Sequence, residues 1–191
     1  MKTIELTQAE MAKRVARFKD LKPLPTQAEN AVPLEAKDVV YARKLLSVIG
    51  LEDSSATPIS SGAPIKGAAG MTMTLAVCPP GQGPELHSHV STYETFTVLR
   101  GRFEFRWNDD GSERVVLDEL DTISLPPGVC RAFRNVGDTE GIVQVLITGG
   151  VHDMTDIDFA RHIADKLEAI DPQARAYFEK AGFTFTASRT R

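Results

Sequence analysis

Two histidines separated by one residue, with a glutamate five residues on, are the groups of this 191-residue chain whose types and spacing could do chemistry: His87-Ser88-His89 and Glu94. Imidazole nitrogen and carboxylate oxygen both suit borderline divalent metals. In a strand, residues i and i+2 project from one face, so His87 and His89 point the same way. Val90-Ser91-Thr92-Tyr93 is chain enough for a bend, and Thr95-Phe96-Thr97-Val98-Leu99 is β-branched and aromatic, a strand by composition. Glu94 then enters from the start of the neighbouring strand and can meet both imidazoles. Gly101 closes that strand with a turn that needs no Cβ.

Taken together, Gly81, His87, His89, Glu94 and Gly101 resemble the first signature motif of the cupin superfamily, matching each fixed position. The resemblance implies a small antiparallel β-barrel of jelly-roll type that holds a metal inside. The family's second motif has the sense Gly, Pro-x-Gly, two residues, His, three residues, Asn. Here Pro126-Pro127-Gly128, Arg131 and Asn135 follow that frame. Two positions depart: the opening glycine is Leu120, and the fourth metal ligand of the family, a histidine, is Arg131. The resemblance covers roughly residues 67–148.

Arg131 changes the chemistry, because a guanidinium is always protonated, carries only donors and cannot ligate a cation. Three readings follow. In the first, a metal sits on His87, His89 and Glu94 with extra open positions, the usual facial set of oxygen-activating non-haem iron enzymes. Arg131 then grips an anionic group by a forked hydrogen bond or stabilises developing negative charge. In the second, Arg131 pairs with Glu94 and the pocket binds organic anions without metal. In the third, the barrel is a degenerate scaffold.

The first reading assigns Glu94 and Arg131 as catalytic candidates, Arg131 and Tyr93 as substrate-binding candidates, and His87, His89 and Glu94 as ligands of one divalent transition metal per chain (Fe, Mn, Ni or Zn). Similarity to quercetinase-like cupins implies dioxygenase-type chemistry on a small anionic or aromatic organic substrate. Isomerase or lyase chemistry on a sugar or keto acid is an alternative, as is a non-catalytic carboxylate-binding cupin with Arg131 as anchor. Glu85 and Gln144 are candidates for orienting the imidazoles, and His152 for a substitute ligand. His162 falls at a helical position. Cys78 and Cys130 read as small buried hydrophobes.

Composition bounds the rest. With 42% hydrophobic residues the chain suits one globular domain with terminal elaborations. A net charge of −4 gives no basic field for nucleic acid. No run of 18 apolar residues spans a membrane, and the first 20 residues lack the apolar core of a signal peptide. Two cysteines are too few for a disulfide framework. A cytoplasmic protein with a small-molecule ligand or substrate is expected, and the family resemblance implies a homodimer.

The elements that must position the cluster are mainly strands. Residues 71–78, 103–107, 115–117, 123–125 and 142–148 alternate or run apolar, and Asn108-Asp109-Asp110-Gly111 is a hairpin turn. Around them, Thr7-Gln8-Ala9-Glu10 is a capping box that opens a helix lasting until just before Pro23. A second helix is predicted from Pro33 through Ile49, a third from Thr155, and a fourth from Asp171-Pro172 to Gly182. The expected architecture is mainly β, a jelly-roll (cupin) β-barrel with N-terminal and C-terminal helical extensions. Its divisions are 1–58 (helical extension), 59–150 (cupin β-barrel) and 151–191 (helices packing on the barrel or on a dimer).

Overall fold

Strand-forming residues dominate the middle of the chain, and the computed structural model, which describes residues 1–51, 57–67, 70–149 and 154–188, places them in two sheets. In chain order the elements are α1 (Gln8–Ala12), α2 (Pro25–Ala28), α3 (Leu34–Val40), β1 (Lys44–Gly50), α4 (Pro58–Gly62), β2 (Ile65–Lys66), β3 (Met71–Cys78), β4 (His87–His89) and β5 (Tyr93–Arg100). They continue with β6 (Phe103–Trp107), β7 (Glu113–Leu117), β8 (Thr122–Leu125), β9 (Arg131–Asn135), β10 (Gly141–Thr148), β11 (Ile157–Ala160), α5 (Arg161–Ile170), α6 (Ala174–Lys180) and β12 (Thr184–Ala187). One six-stranded sheet runs β2-β1-β3-β10-β5-β8 and the other β12-β11-β4-β9-β6-β7. This is a mainly β, jelly-roll architecture, with helices toward both ends of the chain.

The two sheets meet over a core that both supply. Ala76, Cys78, Phe96, Val98, Val143 and Val145 come from the first sheet, and Phe103, Phe105 and Phe133 from the second. Phe96 lies 5.1 Å from Phe105 and 5.2 Å from Phe133, ring centroid to centroid, so the aromatic rows interlock across the interface. A second cluster packs α3, α5 and α6 against β9, β11 and β12 through Val39, Ala132, Phe159, Ile163, Leu167 and Phe178. The predicted hairpin forms, with Asn108 at φ 70° and Gly111 at φ 63°.

Both predicted N-terminal helices are shorter than expected. The capping box exists: Glu10 N donates to Thr7 Oγ1 at 3.3 Å and Thr7 N to Glu10 Oε2 at 2.7 Å. The helix it opens nevertheless stops at Ala12. Met11, Val15 and Phe18 stand exposed, so no packing pays the cost of propagation. The helix from Pro33 ends at Val40, and residues 44–50 form β1 instead. Leu46 pairs with Leu75 in β3, and Leu46 and Val48 alternate into a cluster with Leu75, Val77 and Ile142. Sheet pairing outweighs the helical pattern there.

At the other end, Met154–Asp156 is a single 3-10 turn rather than a helix start. Phe159 lies on β11, while Ile163 and Leu167 occupy the buried face of α5. Asp171 Oδ1 accepts from Gln173 N at 2.7 Å just before α6, and Gly182 ends that helix at φ 103°. β12 has no counterpart in the sequence reading.

Candidate metal centre

The three ligand candidates come from facing sheets. β4 lies between β11 and β9, with Phe159 opposite His87 on one side and Arg131 opposite it on the other. Glu94 starts β5 in the other sheet, between Ile147 of β10 and Leu125 of β8. The Pro126-Pro127-Gly128 turn is fastened to the histidine strand, since Gly128 N donates to the His89 carbonyl at 2.8 Å. Strand alternation sends both imidazoles inward, as expected of an i, i+2 pair.

One nitrogen or oxygen from each of His87, His89 and Glu94 lies within 4.8 Å of the others, and all three side chains are buried. His89 Nε2 is 3.5 Å and His87 Nε2 3.7 Å from Glu94 Oε2, too far for hydrogen bonds. The opposite ring nitrogens are anchored. His87 Nδ1 lies 2.8 Å from the Glu85 carbonyl oxygen, and His89 Nδ1 lies 3.0 Å from Asp156 Oδ2 and 3.0 Å from Thr92 Oγ1. Acceptors on Nδ1 put the proton there and leave each Nε2 lone pair free to ligate. Glu94 Oε2 is buried with no hydrogen-bond partner among the described residues. A buried carboxylate oxygen facing two free imidazole lone pairs is a donor set that a divalent cation satisfies.

The electrostatics agree. Burial pushes the His87 pKa down, which favours the neutral, ligating form. Burial works against ionisation of Glu94, but His89, His87 and Arg131 outweigh it and hold the carboxyl at about 2. Asp156 is likewise driven up by burial, yet its bonds to His89, Thr92 and Ser91 bring it below the usual range.

Arg131 is fully buried beside Glu94, near the same oxygen that faces the imidazoles. Its Nη2 donates to the Pro126 carbonyl at 3.2 Å and its Nε stands 3.6 Å from Glu94 Oε2, while Nε and Nη1 make no hydrogen bond among the described residues. Burial lowers its pKa and Glu94 opposes that shift.

A cavity of about 80 Å³ adjoins the cluster, lined by His87, His89 and Glu94 and otherwise mostly by apolar side chains, Phe133, Phe159 and Phe183 among them. Arg131 is not part of that lining. Neither is Tyr93, which points away from the site and is 50% exposed.

The remaining candidates fall elsewhere. The Glu85 carboxylate pairs with Lys166, Arg106 and Arg134, and only its carbonyl serves His87. Gln144 Nε2 contacts Met73 Sδ at 3.5 Å. His152 lies outside the described residues, and His162 is exposed on α5. Cys78 and Cys130 are buried, with thiols pushed up to about 12 and about 11 by burial. Sequence reasoning missed Thr92 and Asp156. Asp156 stands 67 residues from the histidine it holds, and no local pattern could have joined them.

Residues 74–148 match the family model described as "Cupin domain". The chain thus carries a domain of the cupin superfamily, and that domain contains His87, His89, Glu94 and Arg131. Among solved structures, a chain from the DMSP lyases RdDddP and RnDddQII superposes with a TM-score of 0.48 at 18% identity, over 62% of this chain and 53% of that one. A protein from Thermotoga maritima described as a predicted oxalate decarboxylase gives 0.38 at 23% identity, over 41% of this chain and 65% of its own. A double-stranded β-helix protein from Klebsiella pneumoniae gives 0.40 at 22%, over 44% and 70%. This chain therefore spans about half the length of the first of these. No curated protein matches the sequence. No helix among the described residues is long and apolar enough to cross a membrane.

Proposed function

We propose that the chain binds one divalent transition metal on His87, His89 and Glu94 and acts on a small organic molecule in the adjoining cavity, with oxygen-activating, dioxygenase-type chemistry. The observation that carries this reading is the convergence, on the lining of a mostly apolar cavity, of two anchored imidazoles and a carboxylate oxygen that has no hydrogen-bond partner among the described residues. When bound, the metal supplies Lewis acidity and, as iron, open positions for oxygen and substrate. His87 and His89 ligate through Nε2, their protons held on Nδ1 by the Glu85 carbonyl and Asp156. Glu94 ligates through the oxygen that lacks a partner. Arg131, beside that oxygen, favours its ionised form, and the apolar lining limits water in the cavity.

Anion binding without metal is less well supported, because the guanidinium that would anchor the anion is turned into the wall, toward Glu94 and the Pro126 carbonyl. Elemental analysis of protein purified without chelators tests the reading. Near-stoichiometric Fe, Mn, Ni or Zn is expected in the native chain, and its loss in His87→Ala/His89→Ala. Oxygen uptake with a panel of small aromatic and keto acids then tests the reaction type. A native chain that stays metal-free after anaerobic Fe(II) loading overturns the proposal.

A further inference from the structure

Beyond His87, His89 and Glu94, the polar side chains on the cavity lining are Thr26, Tyr41 and Thr74. Thr74 opens the segment that matches the cupin domain, whereas Thr26 and Tyr41 come from the chain before it. That preceding segment is pinned in place. Leu24 N donates to the Leu45 carbonyl at 3.1 Å, and the Gln27 side chain bridges Ala42 O at 2.7 Å and Leu45 N at 2.8 Å. Thr26 Oγ1 is buried in this wall with no hydrogen-bond partner among the described residues. An unpaired hydroxyl in an apolar cavity is costly and calls for a partner.

Tyr41 is buried, with its ring edge-on to Phe178 and Phe183 at centroid distances of 6.1 and 5.8 Å. Phe183 lies 5.7 Å from Phe159, and Phe159 lies 5.2 Å from His87. Phe183 and Phe159 thus link the Tyr41 ring to His87, and Tyr41 lines the same cavity as the three ligand candidates. Burial raises the phenol pKa to about 12, so it stays a donor. The Thr26 hydroxyl is close enough to oppose that rise, yet the two fall outside hydrogen-bond geometry.

We propose that Thr26 and Tyr41 are the specificity pair of this cavity, hydrogen-bonding a hydroxyl or carbonyl group of a compact substrate whose anionic oxygen group lies on the metal cluster. The placement of that anionic group rests on the function proposed above. A cavity of about 80 Å³ lies well below the roughly 300–1,000 Å³ typical of sites for larger ligands, which suits a small molecule. Apolar walls discriminate weakly between a methyl and a hydroxyl, whereas a site built to bond the hydroxyl rejects its deoxy analogue.

The test is calorimetric titration of glycolate, β-hydroxypropionate and γ-hydroxybutyrate, each against the unsubstituted acid of equal length, with metal content measured on the same samples. At one chain length the native protein is expected to favour the hydroxy acid about fivefold or more. Thr26→Val and Tyr41→Phe, which keep shape, should each bring that preference below about twofold, by weakening the hydroxy acid, by relieving the unpaired hydroxyl against the unsubstituted acid, or both. Thr26→Ser should restore it, and unliganded melting curves report folding. Absence of preference at every length, or preference surviving both substitutions, overturns the pair. Preference that depends on the pair in metal-free protein upholds it and overturns the metal reading instead.

Discussion

Glu94 and Asp156 are both buried carboxylates beside His89, but one belongs to the cupin domain and the other to the chain beyond it. Glu94 leaves Oε2 without a hydrogen-bond partner among the described residues, 3.5 Å from His89 Nε2. Asp156 is saturated: Oδ1 accepts from Ser91 N at 2.7 Å, and Oδ2 from Thr92 Oγ1 at 2.5 Å with His89 Nδ1 at 3.0 Å. A carboxylate with a spare lone pair can ligate, whereas one with every oxygen engaged can only orient. The same division holds along the cavity. The domain brings the donor atoms, and the flanks bring Asp156, the rings of Phe159 and Phe183, and the hydroxyls of Thr26 and Tyr41.

The strongest way to break this comparison is to remove a flank ring. Phe159 is 1% exposed, packs on His87 at 5.2 Å and joins the helical cluster to the cavity. Phe159→Ala should cost about 3–5 kcal/mol in urea unfolding. A loss below about 1 kcal/mol would mean that the flanks decorate a self-sufficient domain.

Acid comes next. The folded pKa of His87 lies below its ordinary 6.5, and that of Glu94, at about 2, lies below 4.5. Each group binds more protons unfolded than folded, so each contribution is complete above the ordinary value and is lost as pH falls. Chelator-treated protein should therefore melt at lower temperature from about pH 6.5 downward, with a second decline that starts near pH 4.5, where Glu94 of the unfolded chain takes up a proton, and runs on toward about 2, where the folded carboxyl does. A melting temperature flat down to about pH 5 would contradict a neutral, buried His87.

A smaller change sharpens the orienting role of the flank. Asp156→Asn keeps the size of the side chain but offers one acceptor where the carboxylate offers two. Metal affinity, read by competition with a chromophoric chelator, should fall about 10–100-fold while unliganded melting moves little. Unchanged affinity would reduce Asp156 to a fastening of the turn at residues 154–156.

What was legible in the sequence follows from how far each interaction reaches. His87, His89 and Glu94 lie within eight positions on two strands, so period-two geometry was enough to aim them. Phe103 and Phe105 alternate with charged residues and occupy the core for the same reason. Thr155-Asp156-Ile157-Asp158 carries the local signature of a helix start, but Asp156 spends its carboxylate on Ser91, Thr92 and His89 across the sheet. The chain there turns once and continues as β11. Residues 44–50 fail similarly, since only the presence of β3 beside them makes a strand the better solution. Arg131 could be seen to break a four-ligand set, but not that its guanidinium would turn from the cavity toward Glu94 and Pro126.

The smallest effect expected separates a kept motif glycine from a lost one. Gly101 sits at φ 90°, and a Cβ there would approach Gly141 Cα at 3.2 Å, so Gly101→Ala meets both strain and crowding. Leu120, where the second motif has glycine, adopts φ 73° with a side chain 78% exposed, so no packing compensates the left-handed backbone. Its amide still donates to the Val98 carbonyl at 2.7 Å, which keeps the turn closed against β5. Leu120→Gly should relieve about 1–2 kcal/mol of backbone strain, less about 0.4–1 kcal/mol of added freedom in the unfolded chain. A net gain near 1 kcal/mol or below, read as a raised urea midpoint with unchanged slope, is therefore expected. A loss of stability on Leu120→Gly would mean that the exposed leucine is covered in solution by something that rewards its burial.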